Sequence, residues 1–358
     1  MMERTLTTMR PRVEAILQRA AMPGAVIAVA RDGSPIEHLA VGSDARGDEL
    51  TVDSLFPAAS ITKLATALSV LRLHDAGALQ YEDQLDAYLP EAAAARAGVT
   101  LPMLFTHTAG LQGMEGYDAR QEPGAAWVAL QEEALQAAPQ ATPGTRVLYS
   151  DINYDLLAMV VERVAGEPFP VACQRLVLEP LGIEASFAAE PPRAPVWIGD
   201  EPGPHTGTPL EWHNSAYFRS LCLPASGLVT TAAGALALVR AFMGAPDDFL
   251  RPETRAAATR DQTGGAGGGL FGAFDEPAEF ASFPWGLGPE LREHRDPLFA
   301  PVEAGPASFG HAGSSGCIVW ADPEAGVAWA ILGTRHMAAW WGDPLFGDIG
   351  AAVLATAM

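Results

Sequence analysis

Residues 56–68 read FPAASITKLATAL. Of the 22 lysine and arginine residues in the chain, only Lys63, within this stretch, is a lysine. The residues from about 60 to 76 have the composition and spacing of a helix. Ser60 and Lys63 then share one face of its first turn, at positions i and i+3. A helix N-terminus turns backbone N–H groups and a partial positive charge toward the serine, which favours an alkoxide and an oxyanion there. A serine hydroxyl is a poor nucleophile until a base takes its proton. Lysine can act as that base when its surroundings lower its pKa, whereas arginine stays protonated. A chain that uses arginine everywhere else therefore has a chemical reason for one lysine here. A serine three positions before a lysine also arises by chance, so the pair needs company.

Composition narrows the field around this pair. The chain has 358 residues, 49% of them hydrophobic, and a formal net charge of −21. That length predicts about two lobes of ~100–200 residues. So acidic a surface repels phosphate backbones, so nucleic acid is excluded as a partner. No apolar run reaches the roughly 18 residues of a membrane span. The N-terminal segment lacks the apolar stretch of a secretory signal, so a cytoplasmic protein is expected. The three cysteines, Cys173, Cys222 and Cys317, are far apart and predict buried free thiols. No Gly-x-Ser-x-Gly elbow, His-Glu-x-x-His zinc motif or strand-linked Gly-x-Gly-x-x-Gly occurs. Neither a metal nor an organic cofactor is expected.

Both ends of the chain read as strands. GAVIAVARDGSPIEHLAVG (24–42) is a hairpin about Asp32-Gly33, and GCIVWADPEAGVAWAILGT (316–334) is a second. Helices are predicted at 3–21 and 344–357. The middle reads as helices at 60–76, 125–137, 151–165, 170–177 and 231–243, joined by Pro/Gly loops. The glycine run 263–269 is expected to be a flexible loop. These patterns predict an antiparallel sheet flanked by helices, from residues 1–59 and 225–358, and a mostly helical domain over 60–224.

Two further stretches join Ser60 and Lys63. VLYSDINYDLL (147–157) sets Tyr149-Ser150-Asp151 ahead of a helix, and SFGHAGSSGCIVW (308–320) sets His311-Ala312-Gly313 on a strand, before Ser314. With LFTHTAGL (104–111) and LPASGLVTTAAGALAL (223–238), the ordered set resembles the serine β-lactamase and penicillin-recognising superfamily. The likeness is greatest to its class C-like branch, with D-alanyl-D-alanine carboxypeptidases and family VIII carboxylesterases. The resemblance spans nearly the whole chain. It implies an α/β (α+β) fold of β-lactamase/transpeptidase type, with the active site between the two lobes. It implies that Ser60 is acylated, that Lys63 and Tyr149 share the proton transfers, and that the N–H groups of Ser60 and Ser314 form the oxyanion hole. His311, Gly313 and Asp151 are expected to border the substrate.

Two departures from the family pattern bear on chemistry. Asp151 stands where many members have asparagine, and a carboxylate there favours the ammonium form of Lys63. That shifts the expected base toward Tyr149, whose pKa a neighbouring cation depresses. His311 replaces a permanent lysine cation, and Ala312 offers no hydroxyl, so anionic substrates are disfavoured. Arg335 is a possible substitute anchor for a carboxylate. His107 reads as a turn residue, and Asn153 as an ordinary helix residue. Trp212, Phe218, Trp285 and Trp340 lie in loop-like stretches and are expected to line the acyl pocket. The expected activity is a carboxylesterase acting on short- to medium-chain esters. A β-lactamase or D-amino-acid peptidase/amidase is the alternative, and a non-catalytic binding protein on the same fold a remote one. The partner is a small-molecule ester or amide in either enzyme reading.

Overall fold

The computed structural model describes residues 6–111, 127–200, 206–270, 278–293, 299–337 and 345–356. Its strands used below are β1 (Gly24–Arg31), β2 (Glu37–Gly42), β3 (Val147–Leu148), β4 (Gly268–Leu270), β5 (Ala278–Phe280), β6 (Glu290–Leu291), β7 (Phe309–Gly313), β8 (Cys317–Asp322) and β9 (Val327–Gly333). The helices used below are α1 (Arg10–Arg19), α2 (Thr62–Asp75), α3 (Asp151–Ala165), α4 (Ala232–Met243) and α5 (Leu345–Leu354).

Six strands pair in the order β2-β1-β9-β8-β7-β6. Every neighbouring pair is antiparallel. The two hairpins meet through β1 and β9, in register from Ala25 opposite Gly333 to Arg31 opposite Val327. Successive strand residues point to opposite faces. Ala25, Ile27 and Val29 of β1 therefore join Val13, Ile16 and Leu17 of α1 and Ile349 and Val353 of α5 on one side. Val26, Ala28 and Ala30 join α4 and the helical middle on the other. Burial on both faces explains why these strands are continuous apolar runs rather than alternating ones.

α2 is buried nearly all round and packs on α3, so it carries its first turn into the interior. α3 stops at Gly166, which takes the left-handed conformation with φ 72°. α4 begins at Thr231, whose hydroxyl accepts from the Gly234 N–H at 3.1 Å, and it lies on the sheet.

The end of the glycine run is a strand rather than loop. Gly268 and Gly269 pair in parallel with Val147 and Leu148, and β5 closes the other side. Gly268 has φ 151°, and a Cβ there would lie 1.9 Å from the Val147 carbonyl oxygen. Close backbone approach requires glycine at Gly268, where composition alone reads a flexible loop. The cysteines are free, as expected, with Cys173 and Cys317 buried but Cys222 partly exposed.

Candidate active site

Ser60 sits in the single turn Ala59–Ile61 that feeds α2. Ala59 just before it has φ 46°, a strained value for a residue with a side chain. Three bonds hold the turn. Thr62 Oγ1 donates to the Ala59 carbonyl at 2.6 Å, the Leu228 N–H donates to Thr62 Oγ1 at 3.1 Å, and the Ala58 N–H donates to the Leu228 carbonyl at 2.8 Å. The segment 223–238 thus supports the turn that carries Ser60.

Lys63 is fully buried. Three acceptors surround its Nζ: Asp151 Oδ1 at 2.6 Å, Ser60 Oγ at 3.0 Å and the Ala225 carbonyl at 3.1 Å. The Ser60 and Ala225 oxygens accept hydrogen bonds from this ammonium, Asp151 is its counter-ion, and the Tyr149 phenol is a further partner. Burial works against the charge, but Asp151, then Tyr149, and their hydrogen bonds outweigh it and raise the Lys63 pKa. Lys63 is therefore an ammonium at rest.

Tyr149 lies between β3 and α3 and is 8% exposed. Its phenol interacts with both Lys63 and Ser60. Here the structure corrects the sequence reading. Burial raises the Tyr149 pKa, and Asp151 adds to that, so the opposing pull of Lys63 is overcome. The same carboxylate that secures the Lys63 charge cancels much of its effect on the phenol.

β7 runs directly beside the turn that carries Ser60. A Cβ on Gly313 would lie 2.3 Å from the Ala58 carbonyl oxygen and 3.2 Å from the Ala59 Cβ. Gly313 is thus a packing requirement that lets β7 touch the Ser60 turn. Ser315 Oγ donates to the Pro57 carbonyl at 2.6 Å and fixes the turn that carries Ser314. His311 is 2% exposed, and its Nδ1 lies 2.7 Å from the Ala312 carbonyl. A carbonyl only accepts, so Nδ1 carries the proton and Nε2 keeps a bare lone pair. Burial and then the Lys63 charge lower the His311 pKa to about 3 against the pull of the Ala312 bond, so the ring is neutral.

The structure divides the nominated aromatics. Trp285, 1% exposed, lies 5.8 Å from the Tyr149 ring, 5.4 Å from His311 and 4.9 Å from His107, between centroids. Trp212 and Phe218 belong to a separate cluster with Leu130, Leu221 and Leu223. One link to the site runs through His336, 6.4 Å from Trp212, whose neighbour Met337 donates its N–H to the Ser314 carbonyl at 2.8 Å. Trp340 lies outside the described residues. Arg335 is tied to the Asp200 carboxylate and to the Ala20 carbonyl, so it is not a substitute carboxylate anchor.

Three contributors escape the sequence reading. The Ala225 carbonyl has no signature of its own. His107, read as a turn residue, is fully buried with its ring 4.3 Å from that of Tyr149. Asn153, given no role, contacts His107 Nδ1 through Nδ2 at 3.2 Å and donates to the Ser150 carbonyl at 3.2 Å. The signal for His107 is a histidine amid small and apolar residues in the quoted LFTHTAGL segment.

Comparison with known proteins gives the family. The family model described as Beta-lactamase matches residues 9–338. Esterase EstB of Burkholderia gladioli is 31% identical over 346 residues, 84% of each chain. Penicillin-binding protein 4 of Amycolatopsis lactamdurans is 32% identical over 184 residues, 49% of this chain and 47% of that one. A penicillin-binding protein homologue from Caulobacter crescentus superposes with a TM-score of 0.76 at 25% identity, covering 98% of this chain and 97% of that one. The chain belongs to the beta-lactamase family, whose fold it has. The family and these relatives are hydrolases of the serine β-lactamase and esterase type. No helix among the described residues is long and apolar enough to cross a membrane.

Proposed function

We propose that the protein is a serine hydrolase that forms an acyl-enzyme on Ser60, and that its substrates are neutral carboxylic esters of short to medium acyl length. The observation that carries the reading is Ser60 Oγ, 3.0 Å from the ammonium of a fully buried Lys63. Loss of one proton from the cluster makes Tyr149 a phenolate beside that ammonium. The phenolate takes the Ser60 proton as Oγ attacks the ester carbonyl. The N–H groups of Ser60 and Ser314 hold the oxyanion. Tyr149 then returns the proton to the leaving alkoxide. In deacylation it takes a proton from water, the hydroxide attacks the acyl carbonyl, and the proton returns to Ser60 Oγ.

The preference for neutral esters rests on how the cations are committed. Lys63 is engaged by Asp151, Ser60 and Ala225, Arg335 by Asp200, and His311 is neutral. A substrate carboxylate finds no uncommitted cation among these described residues. EstB, an esterase by name, is similar over most of the chain. The second reading, a β-lactamase or peptidase, is favoured by the likeness to penicillin-binding protein 4.

Activity on p-nitrophenyl butyrate and on a chromogenic β-lactam, read beside intact mass, tests the choice. The ester is expected to be turned over with a kcat/KM at least about tenfold higher, a transition-state difference of ~1.4 kcal/mol. An acyl adduct is expected on the native protein and none on Ser60→Ala. Faster β-lactam turnover would hand the site to the second reading. Failure of Ser60 to label with a fluorophosphonate would remove catalysis altogether.

A further inference from the structure

Tyr149 is held on both sides by one residue. The Leu148 N–H donates to the His107 carbonyl at 2.8 Å, and the Ser150 N–H donates to His107 Nδ1 at 3.1 Å. The amides before and after the tyrosine therefore end on the same histidine. The Tyr149 N–H itself donates to the Gly269 carbonyl at 3.2 Å. The His107 ring then lies 4.3 Å from the Tyr149 ring, tilted by 34°.

His107 follows the short helix Leu101–Phe105 and its cap Thr106, and has φ 59°. Helices commonly end with a left-handed residue here, and glycine or asparagine is preferred. A buried histidine in that place is a choice that helix ending does not explain. With this backbone, its carbonyl and its ring reach two amides only two residues apart. Nδ1 accepts from a backbone N–H, so the neutral ring carries its proton on Nε2. Burial, then the Lys63 charge and His311, hold the pKa well below the ordinary histidine range. Nε2 has no hydrogen-bond partner among the described residues, so the ring is oriented from its Nδ1 side. Asn153 Nδ2, 3.2 Å from Nδ1, braces the same edge from α3.

We propose that His107 is a positioning residue for Tyr149, clamping the peptide on either side of it and packing against its ring so that the phenol stays in contact with Ser60 and Lys63. The proposal rests on the reading above that Tyr149 moves the proton. His107→Asn keeps an acceptor near the Nδ1 position and a residue type suited to the left-handed backbone. His107→Gly suits that backbone equally and removes the acceptor and ring. With p-nitrophenyl butyrate, His107→Gly is expected to lose about 100-fold in kcat, the scale of a catalytic group displaced by about 1 Å. KM is expected to move less than about threefold, the signature of a lost transition-state interaction rather than lost binding. His107→Asn should regain most of the rate, to within about fivefold of native. Long-range proton–nitrogen NMR of the native protein, assigned by the signals missing in His107→Asn, should show Nδ1 bare and Nε2 protonated. Native-like kcat in His107→Gly, or no rescue in a folded His107→Asn, overturns the clamp. So does a protonated Nδ1, which decides the matter even if a variant misfolds. Turnover surviving Ser60→Ala would instead sink the catalytic reading, leaving the NMR result to judge the clamp geometry by itself.

Discussion

Trp320 and Trp329, in the middle of the sheet, are fully buried among apolar side chains from α1 and α5. Lys63 and Asp151 are just as deeply buried, at 0% and 2% exposure, yet each is surrounded by groups that carry charge or hydrogen bonds. The first region gains stability from apolar area taken out of water, which needs no particular partner. The second is tolerable only because each charge has its counterpart, and removing one partner exposes the cost of the other. The sheet is therefore built for stability, and the Lys63 cluster, on the function proposed above, for chemistry. Changes that separate those two quantities test the contrast.

The largest effect is expected from Lys63→Met. It removes the cation beside Ser60 and leaves the Asp151 carboxylate buried without its counter-charge. Turnover should fall below detection, and urea unfolding should show a loss of about 3–5 kcal/mol. Adding Asp151→Leu should return stability to within about 1 kcal/mol of native, because an apolar pair of similar bulk replaces the ions. Activity should stay absent. A double variant as unstable as Lys63→Met would show that the ion pair is itself a source of stability, and the contrast with the sheet would fail.

A smaller change sharpens the electrostatics. Burial, with Asp151 adding to it, raises the Tyr149 pKa, while Asp151 leads the influences that keep Lys63 charged. The competent form has lost a proton, so its population grows as pH rises through the raised pKa and falls away below it. Ester hydrolysis should therefore increase into the alkaline range. Asp151→Asn removes one of the charges that raise the Tyr149 pKa, so the midpoint of the pH–kcat/KM curve should move to lower pH. A midpoint that stays put or climbs would mean that Asp151 does not govern the proton of the base.

The same contrast explains what could be read from the residues alone. The two hairpins and the terminal helices are legible because strand pairing and helix burial follow local periodicity, and β1, β8 and β9 are long apolar runs. The Ser60–Lys63 pair is legible because its spacing is local to one helical turn. The polar surroundings are not, since their partners are distant in sequence. The Ala225 carbonyl is 162 residues from Lys63, and the Ser150 N–H is 43 from His107. The segment 263–269 misleads for a related reason: glycine there serves a close approach to Val147, and composition cannot tell close approach from looseness. For Arg335, what hides its commitment is a carboxylate 135 positions away.

The two tryptophans Trp285 and Trp212 bring the contrast to its smallest scale. Both lie outside the long helices, and the sequence nominates both as pocket wall. Trp285 packs among Tyr149, His107 and His311, so its indole is part of what holds Tyr149 and the β7 histidine in place. Trp212 stacks on Phe218 with the rings 21° apart and lies 6.4 Å from His336, in a cluster separate from Trp285. Trp285→Ala should lower kcat/KM by about tenfold or more, because the cavity lets the catalytic side chains move. It should also cost about 3–5 kcal/mol of stability, as a fully buried aromatic does. Trp212→Ala leaves those contacts intact, and any loss of acyl-chain contact would enter as weaker binding shared by substrate and transition state. Its kcat should therefore stay within about threefold of native, with the change confined to KM and growing with acyl length. If Trp212→Ala instead depressed kcat as far as Trp285→Ala does, the second aromatic cluster would have to belong to the catalytic structure and not to its rim.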